Sequence, residues 1–396
     1  MQNAVTADRI FTVPFILLCL SSFLFFASFN MMIPELPAFL TGLGGAEYKG
    51  LIIALFTITA GISRPFSGKL TDTIGRVPVM AFGSLVCFVC GFLYPLLQTV
   101  SAFLLLRLVH GFSTGFKPTG TSAYVADVVP ADRRGEAMGW LGLSGTVGMA
   151  IAPQIGSAVT AAFSMNFMFY TSSVLALLSI AILLGMPETL PNKVRFRPGL
   201  LKISRGDIYE PRVFPAAFVT LLTSFSYGTV LTITPDESDY LGLSNKGLFF
   251  TVFTVSSLGT RFLAGKFSDR LGRVPVLKVS SLALGLSMVM TGLAHSPAVF
   301  LASAVAYGIA IGTNSPTLSA WTIDLSQEEF RGKAVATMYI FLEIGIGLGA
   351  FLSAWLYNNE ADRFGWSFVP AAATSFMAFG YLLWYQPAKA GEVSSD

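Results

Sequence analysis

Long apolar stretches, broken by short charged or Gly/Pro-rich segments, recur along the whole chain. Read as helices they fall near 10–33, 49–67, 78–97, 101–126, 136–161, 164–186, 212–235, 247–264, 276–294, 298–323, 333–357 and 364–386. A helix that crosses a bilayer needs about 20 mostly apolar residues, so twelve would consume about 240 residues. With 396 residues in all, only short loops remain. The first run, Phe11 to Met32, is longer than the apolar region of a secretory signal and has no A-x-A site after it, so it reads as the first span. One longer polar stretch, PETLPNKVRFRPGLLKISRGDIYEPR at 187–212, divides the series in half. The pattern predicts an all-α integral membrane protein of twelve transmembrane helices. Its expected parts are an N-terminal six-helix bundle at 1–190, a linker at 191–210, a C-terminal bundle at 211–390 and a tail at 391–396.

Composition sharpens that reading. Charged residues are 12% of the chain, half the share of an ordinary soluble domain, and hydrophobic residues are 53%. A disordered chain and a soluble enzyme are excluded. The net charge of +3 gives no reason to expect a nucleic-acid partner. Cys87 and Cys90 form a C-x-x-C, but like Cys19 they sit inside an apolar run with no second ligand pair, and they read as small hydrophobes. No metal site, cofactor or Walker motif is expected. With the N-terminus inside, 20 of the 25 Lys and Arg fall on the inner loops, tails and adjacent helix ends. Lys49, Lys246 and Arg363 fall outside, and Arg107 and Lys117 within the fourth span. That asymmetry places both termini in the cytoplasm and requires an even number of spans.

The two halves repeat. GKLTDTIGRVPVM at 68–80 recurs as GKFSDRLGRVPVL at 265–277, an offset of 197. The same offset carries Arg64 onto Arg261, Gly111 onto Gly308, Gly115 onto Gly312, Asp127 onto Asp324 and Arg134-Gly135 onto Arg331-Gly332. Six spans return a chain to the same side, so the copies are parallel repeats related by an axis along the membrane normal.

The repeated segment resembles the loop signature G-x-L-x-D-R-x-G-R of the major facilitator superfamily. In this chain it reads Gly68, Asp72, Gly75 and Arg76, with Thr at 73 where the signature has Arg; the second copy, Gly265, Asp269, Gly272 and Arg273, restores it as Arg270. Glycines permit a tight turn between spans, and Asp72 could set its carboxylate at the positive N-terminus of a neighbouring helix. Arg76 can pair with Asp127, and Arg273 with Asp324. The resemblance implies a cytoplasmic latch that stabilises the outward-open state. The plain alternative is topology anchoring by basic residues.

Two further motifs carry the likeness. Arg107, Gly111 and Gly115 resemble the family's second signature, and counting along the helix puts Arg107 near the outer interface. There it either snorkels or relays protons. The glycines, like Gly308 and Gly312, form G-x-x-x-G pairs suited to close helix packing. In the fifth span Gly139, Gly148, Pro153 and Gly156 resemble the antiporter motif G-x8-G-x3-G-P-x2-G-G, with Ala152 and Ser157 at two glycine positions. In the family that motif marks drug:proton exporters. Mechanically it makes a bent helix able to seal against the other bundle; a generic packing helix is the alternative.

Ionisable residues deep in a bilayer are rare and functional by default. Lys117 and Glu343 each lie about ten residues from the inner end of their helices, which is about 15 Å and near the midplane, on opposite halves. They are expected to share a cavity. Glu343 has Thr146 at its repeat position, and Lys117 has Asn314. Either charged residue could instead be a structural partner inside one bundle. Asn30 lies late in the first helix; the resemblance implies that Tyr227 lines the cavity, and a lipid-facing aromatic is the alternative. Glu35 reads as a solvated end-cap, and His110 as a packing residue.

The resemblance implies a monomeric proton-coupled exporter in a bacterial inner membrane, not an enzyme. It would move a small molecule by antiport, with the proton gradient as energy source and Glu343 and Arg107 in proton coupling. Lys117, Asn314, Asn30 and Tyr227 would line the substrate cavity. A symporter importing a sugar, organic acid or amino-acid derivative, and a non-transporting receptor on the same fold, are the competing readings.

Overall fold

The computed structural model describes residues 11–129, 134–203, 209–327 and 331–385. It is all helical: α1 (Val13–Asn30), α2 (Leu36–Gly42), α3 (Lys49–Thr73), α4 (Arg76–Leu93), α5 (Val100–His110), α6 (Phe112–Val128), α7 (Arg134–Ala162), α8 (Met165–Leu184), α9 (Phe214–Tyr240), α10 (Leu248–Leu271), α11 (Arg273–Gly292), α12 (Pro297–Leu325), α13 (Arg331–Tyr357) and α14 (Phe364–Trp384). The helices start where the sequence supplies caps. Thr99, Ser164 and Ser296 each accept a backbone N–H from the first turn of α5, α8 and α12. The repeat offset superposes these starts: 76 on 273, 100 on 297 and 134 on 331.

Two differences from the expected spans have local causes. The fourth span is split at Gly111, where the missing Cβ lets the Phe56 carbonyl of α3 press against the helix. The short α2 continues the chain past α1, and Glu35 at its start is buried, accepting from Ser157 Oγ at 2.7 Å, rather than solvated. Among the described residues nine helices are long and apolar enough to cross a membrane. The split pair α5–α6 and α7 fall outside that set: α5 and α6 are each short, and α7 is rich in Gly, Ser and Thr.

The first half packs α1 on α7 and α8, and α4 on α6 and α8; the second packs α9 on α13, α10 on α12, and α11 on α12 and α14. Two contacts join the halves along their length, α3 with α13 and α7 with α10, and the repeat exchanges one for the other. The G-x-x-x-G pairs do the expected packing: Gly111 and Gly115 seat α5–α6 on α3, while Gly308 and Gly312 seat α12 on α10.

At the face away from the 187–212 linker the halves are tied together. Lys49 pairs with Asp236, Asn359 donates to the Ala46 carbonyl at 2.9 Å, Asn245 to that of Gln154 at 3.1 Å, and Thr251 to that of Ala150 at 2.7 Å. At the linker face a cavity of about 1630 Å³ enters between them, past Lys69 and Asp72 on one side and Ile323 and Lys333 on the other.

Candidate functional site

The cavity runs from the linker face to Asn30, Ile33 and Arg107 near the closed face. Halfway along it, α3 and α13 face each other across the two halves. Gly61 leaves room for the Glu343 side chain, since a Cβ there would already stand 3.4 Å from the Glu343 Cβ. One turn further along α3, Arg64 Nη2 donates to Glu343 Oε1 at 3.0 Å. The Arg64 guanidinium also stacks 4.4 Å from the ring centroid of Tyr339, one turn before Glu343 on α13. Glu343 is only 8% exposed, so this ion pair is largely out of water.

The repeat places a second contact opposite. On α10, Arg261 Nη1 donates to Thr146 Oγ1 of α7 at 3.3 Å. A guanidinium therefore reaches across the halves at both positions, but it meets a carboxylate at one and a hydroxyl at the other. The Nε atoms of Arg64 and Arg261 are both buried with no hydrogen-bond partner. A smaller cavity of about 240 Å³ holds Arg261, Thr146 and Asn314, and shares Tyr227 and Tyr339 with the large one. The Asn314 Oδ1 is also unpartnered.

The other candidates divide. Asn30 and Tyr227, which the offset makes repeat mates, both line the large cavity. Asn30 donates to the Phe26 carbonyl at 2.7 Å. Lys117 does not share the cavity of Glu343. It is 1% exposed inside the first half, where its Nζ donates to Ser21 Oγ at 2.6 Å and Ser179 Oγ at 3.4 Å. The two residues have similar depth along their helices but different azimuth, which counting from helix ends does not give. Arg107 does not snorkel: it is 3% exposed, bonds the Ile52 carbonyl and Tyr94 Oη, and lies over the Phe56 ring. It lines the cavity near the closed face without reaching Glu343. His110 lies between Tyr94 and Cys87 in the interior, as a packing residue.

The repeated loop has the expected pairs. Arg76 Nε bonds Asp127 at 2.9 Å and its Nη1 bonds Asp72 at 3.3 Å; Arg273 bonds Asp324 at 2.8 Å and Asp269 at 2.5 Å. Gly75 (φ 121°) and Gly272 (φ 88°) make the turns into α4 and α11 in a conformation that other residues rarely adopt. Asp72, however, does not cap α4. Glu188 does, accepting from the backbone N–H groups of Arg76 at 2.9 Å and Val77 at 3.1 Å. Nothing lies within 4 Å of a Cβ on Gly68, and the surroundings of Gly265 lie outside the described residues.

The α7 motif serves two neighbours. Gly148 and Gly156 press α7 onto α1 of their own half, against backbone at Phe23 and Met31. The backbone of Pro153 and Gln154 abuts Gly247, so this stretch also contacts the other half. Gly139 touches nothing.

Sequence reasoning missed Arg64 and Arg261 as site residues. With α3 and α10 ended at 67 and 264, both arginines counted as helix-end charges; the helices in fact run to Thr73 and Leu271, which places them in the interior. Their equivalence under the offset was the available signal.

The sequence model of the Major Facilitator Superfamily matches residues 18–246 and 213–395. The multi-drug resistance efflux pump PmrA of Streptococcus pneumoniae is 24% identical over 91% of this chain and 92% of its own length. Multidrug resistance protein 1 of Bacillus subtilis is 24% identical over 86% and 88%. Among solved structures, a D-xylose-proton symporter superposes with a TM-score of 0.77 at 18% identity, covering 94% of this chain and 97% of that one.

Proposed function

The chain belongs to the major facilitator superfamily, and we propose that it exports a small molecule by proton antiport, with Glu343 as the proton-carrying group. It is an integral membrane secondary transporter, not an enzyme. The observation that carries the finer reading is the Arg64–Glu343 pair, a carboxylate joined to a cation of the other half on the wall of the cavity. Protonation of Glu343 would cancel its charge and release Arg64, so occupancy by a proton changes a contact between the two moving parts. In this reading residues 1–190 and 211–390 rock about the α3–α13 and α7–α10 contacts, 191–210 connects them, and the linker face is cytoplasmic in a bacterial cytoplasmic membrane.

The state with the cavity open to the linker face and the ion pair formed is then the deprotonated carrier ready to load. Substrate entry and closure carry the load across. Protonation from outside lowers its hold, and the protonated carrier returns. Export is supported by the efflux pumps among the relatives and by the contact that α7 makes with the other half at Pro153. The D-xylose-proton symporter has the same fold, so the fold alone leaves direction open.

The test is substrate-induced proton movement in proteoliposomes carrying the purified full-length protein, screened against a drug and metabolite panel. Antiport gives proton efflux from the lumen as substrate enters it, and Glu343→Gln abolishes the proton signal while retaining binding. Co-directional movement of proton and substrate, or an unchanged signal in the Gln variant, contradicts the reading.

A further inference from the structure

Two guanidinium groups reach across the halves at mid-depth, and one carboxylate answers them; Arg107, nearer the closed face, is held by the Ile52 carbonyl, Tyr94 Oη and the Phe56 ring. Arg64 has Glu343. Arg261 has a neutral hydroxyl at 3.3 Å and a buried Nε–H with no acceptor. Among the described residues no carboxylate lines the smaller cavity, and Glu343 is the one at mid-depth in the larger cavity, which adjoins the smaller along Met149, Tyr227, Tyr339, Leu342 and Ile346. A cation held in an apolar enclosure without a counter-charge is costly, and its cost is relieved when an anion enters. The nearby Asn314 Oδ1, also unpartnered, can accept from a donor on the same molecule. The walls combine Tyr227, Phe253, Ile311 and Met149, which suit an apolar body, with Thr220, Thr223, Ser224 and Thr254, whose hydroxyls bond the backbone of their own helices.

We infer that Arg261 is the subsite for an acidic group on the substrate, and that the substrate is a small amphoteric organic acid: a carboxylate at Arg261, an apolar body, and a protonated amine at Glu343. The amine requirement rests on the antiport reading. A bare anion gains when Glu343 is protonated, since one negative charge leaves the site, and so it would travel together with the proton. Only a substrate with a donor for the ionised carboxylate competes with the proton. Glu343 can receive one, because among the described residues Arg64 engages its Oε1 and no donor bonds its Oε2.

Three probes with one ring system separate the possibilities: 2-naphthoate, 3-(2-naphthyl)alanine and 2-naphthylmethylamine. Their dissociation constants are measured on the purified full-length protein in nanodiscs at mildly acid and mildly alkaline pH. The expected order has the amino acid tightest, at least about tenfold ahead of the amine, and tightening as pH rises. Arg261→Gln removes that advantage by a similar factor, and Arg261→Lys retains part of it. Loss in Gln with partial recovery in Lys distinguishes an anion subsite from a folding defect, which size-exclusion behaviour checks in parallel. If the amine binds as tightly as the amino acid, or Arg261→Gln binds all three as the parent does, the inference is wrong, whatever the proton assay shows. If naphthoate is tightest, depends on Arg261 and tightens toward acid pH, the anion subsite stands while the amphoteric substrate and the antiport reading both fall.

Discussion

The α3–α13 and α10–α7 contacts are the same piece of architecture used twice, and they differ in the residue that receives the arginine. Each sends an arginine across the halves at the same depth, Arg64 in one and Arg261 in the other. The receiving position holds Glu343 in the second half and Thr146 in the first. Duplication supplies two related crossings, and the departure at Thr146/Glu343 gives one of them a group that can change charge. The loops at the linker face differ in the same manner. Both have the Arg–Asp–Asp cluster, but among the described residues only the first has an acid, Glu188, on the N-terminus of the following helix; the offset places Tyr385 at the corresponding position.

The most consequential way to break this comparison is to move the carboxylate. In the double variant Thr146→Glu/Glu343→Gln the acid faces Arg261 instead of Arg64. If the two crossings are mechanically equivalent, pH-dependent transport, absent in Glu343→Gln, returns in part, as read by proton flux in proteoliposomes. No recovery in a well-folded double variant would show that the crossings are equivalent in shape only.

The next largest effect is expected at the glycines of α7. A Cβ on Gly148 would approach the Phe23 carbonyl to 2.7 Å, and on Gly156 it would collide with the Met31 backbone, whereas on Gly139 it meets open space. Gly156→Ala should lower the melting temperature clearly and Gly148→Ala less so. Gly139→Ala should be neutral or stabilising by about 0.5–1 kcal/mol, through helix propensity alone. Pro153→Ala leaves α1 packing untouched and should slow exchange or leak protons by loosening the contact with Gly247.

A smaller effect separates the two loops. Glu188 accepts four backbone N–H groups, those of Arg76, Val77, Thr189 and Leu190. Glu188→Gln should cost about 1 kcal/mol of thermal stability, and Tyr385→Phe in the other half nothing of that kind. Asp72 is smaller still as a stability element: its side chain is 74% exposed, and such pairs contribute at most about 1 kcal/mol. Asp72→Asn should therefore fold normally, and any loss of transport, with reduced cysteine labelling of the outer cavity, reports the latch rather than the fold. Unchanged labelling together with unchanged transport would remove the latch.

Much of this architecture is legible in the chain because bilayer physics writes it in long stretches. Apolar runs, basic-residue asymmetry and an ungapped repeat fix helix order and place Glu343 at mid-depth. Two properties were less accessible. Helix ends in polar segments are weakly marked, and the missing stretches of about two turns at the ends of α3 and α10 hid Arg64 and Arg261 among surface charges. Azimuth is also poorly marked where Ser and Thr occur around the whole helix, as on α6, whose Lys117 has the right depth and faces Ser21 and Ser179 inside its own bundle.

The central claim is that Glu343 is the carboxylate whose protonation the transport cycle uses. An infrared titration of the full-length protein in lipid tests it most directly, by following the C=O stretch of protonated carboxyl groups across pH. The account predicts a titrating band that disappears in Glu343→Gln, persists in Asp72→Asn and shifts when Arg64 is replaced by Gln. A band that survives unchanged in Glu343→Gln would place the transported proton on another group and contradict the account.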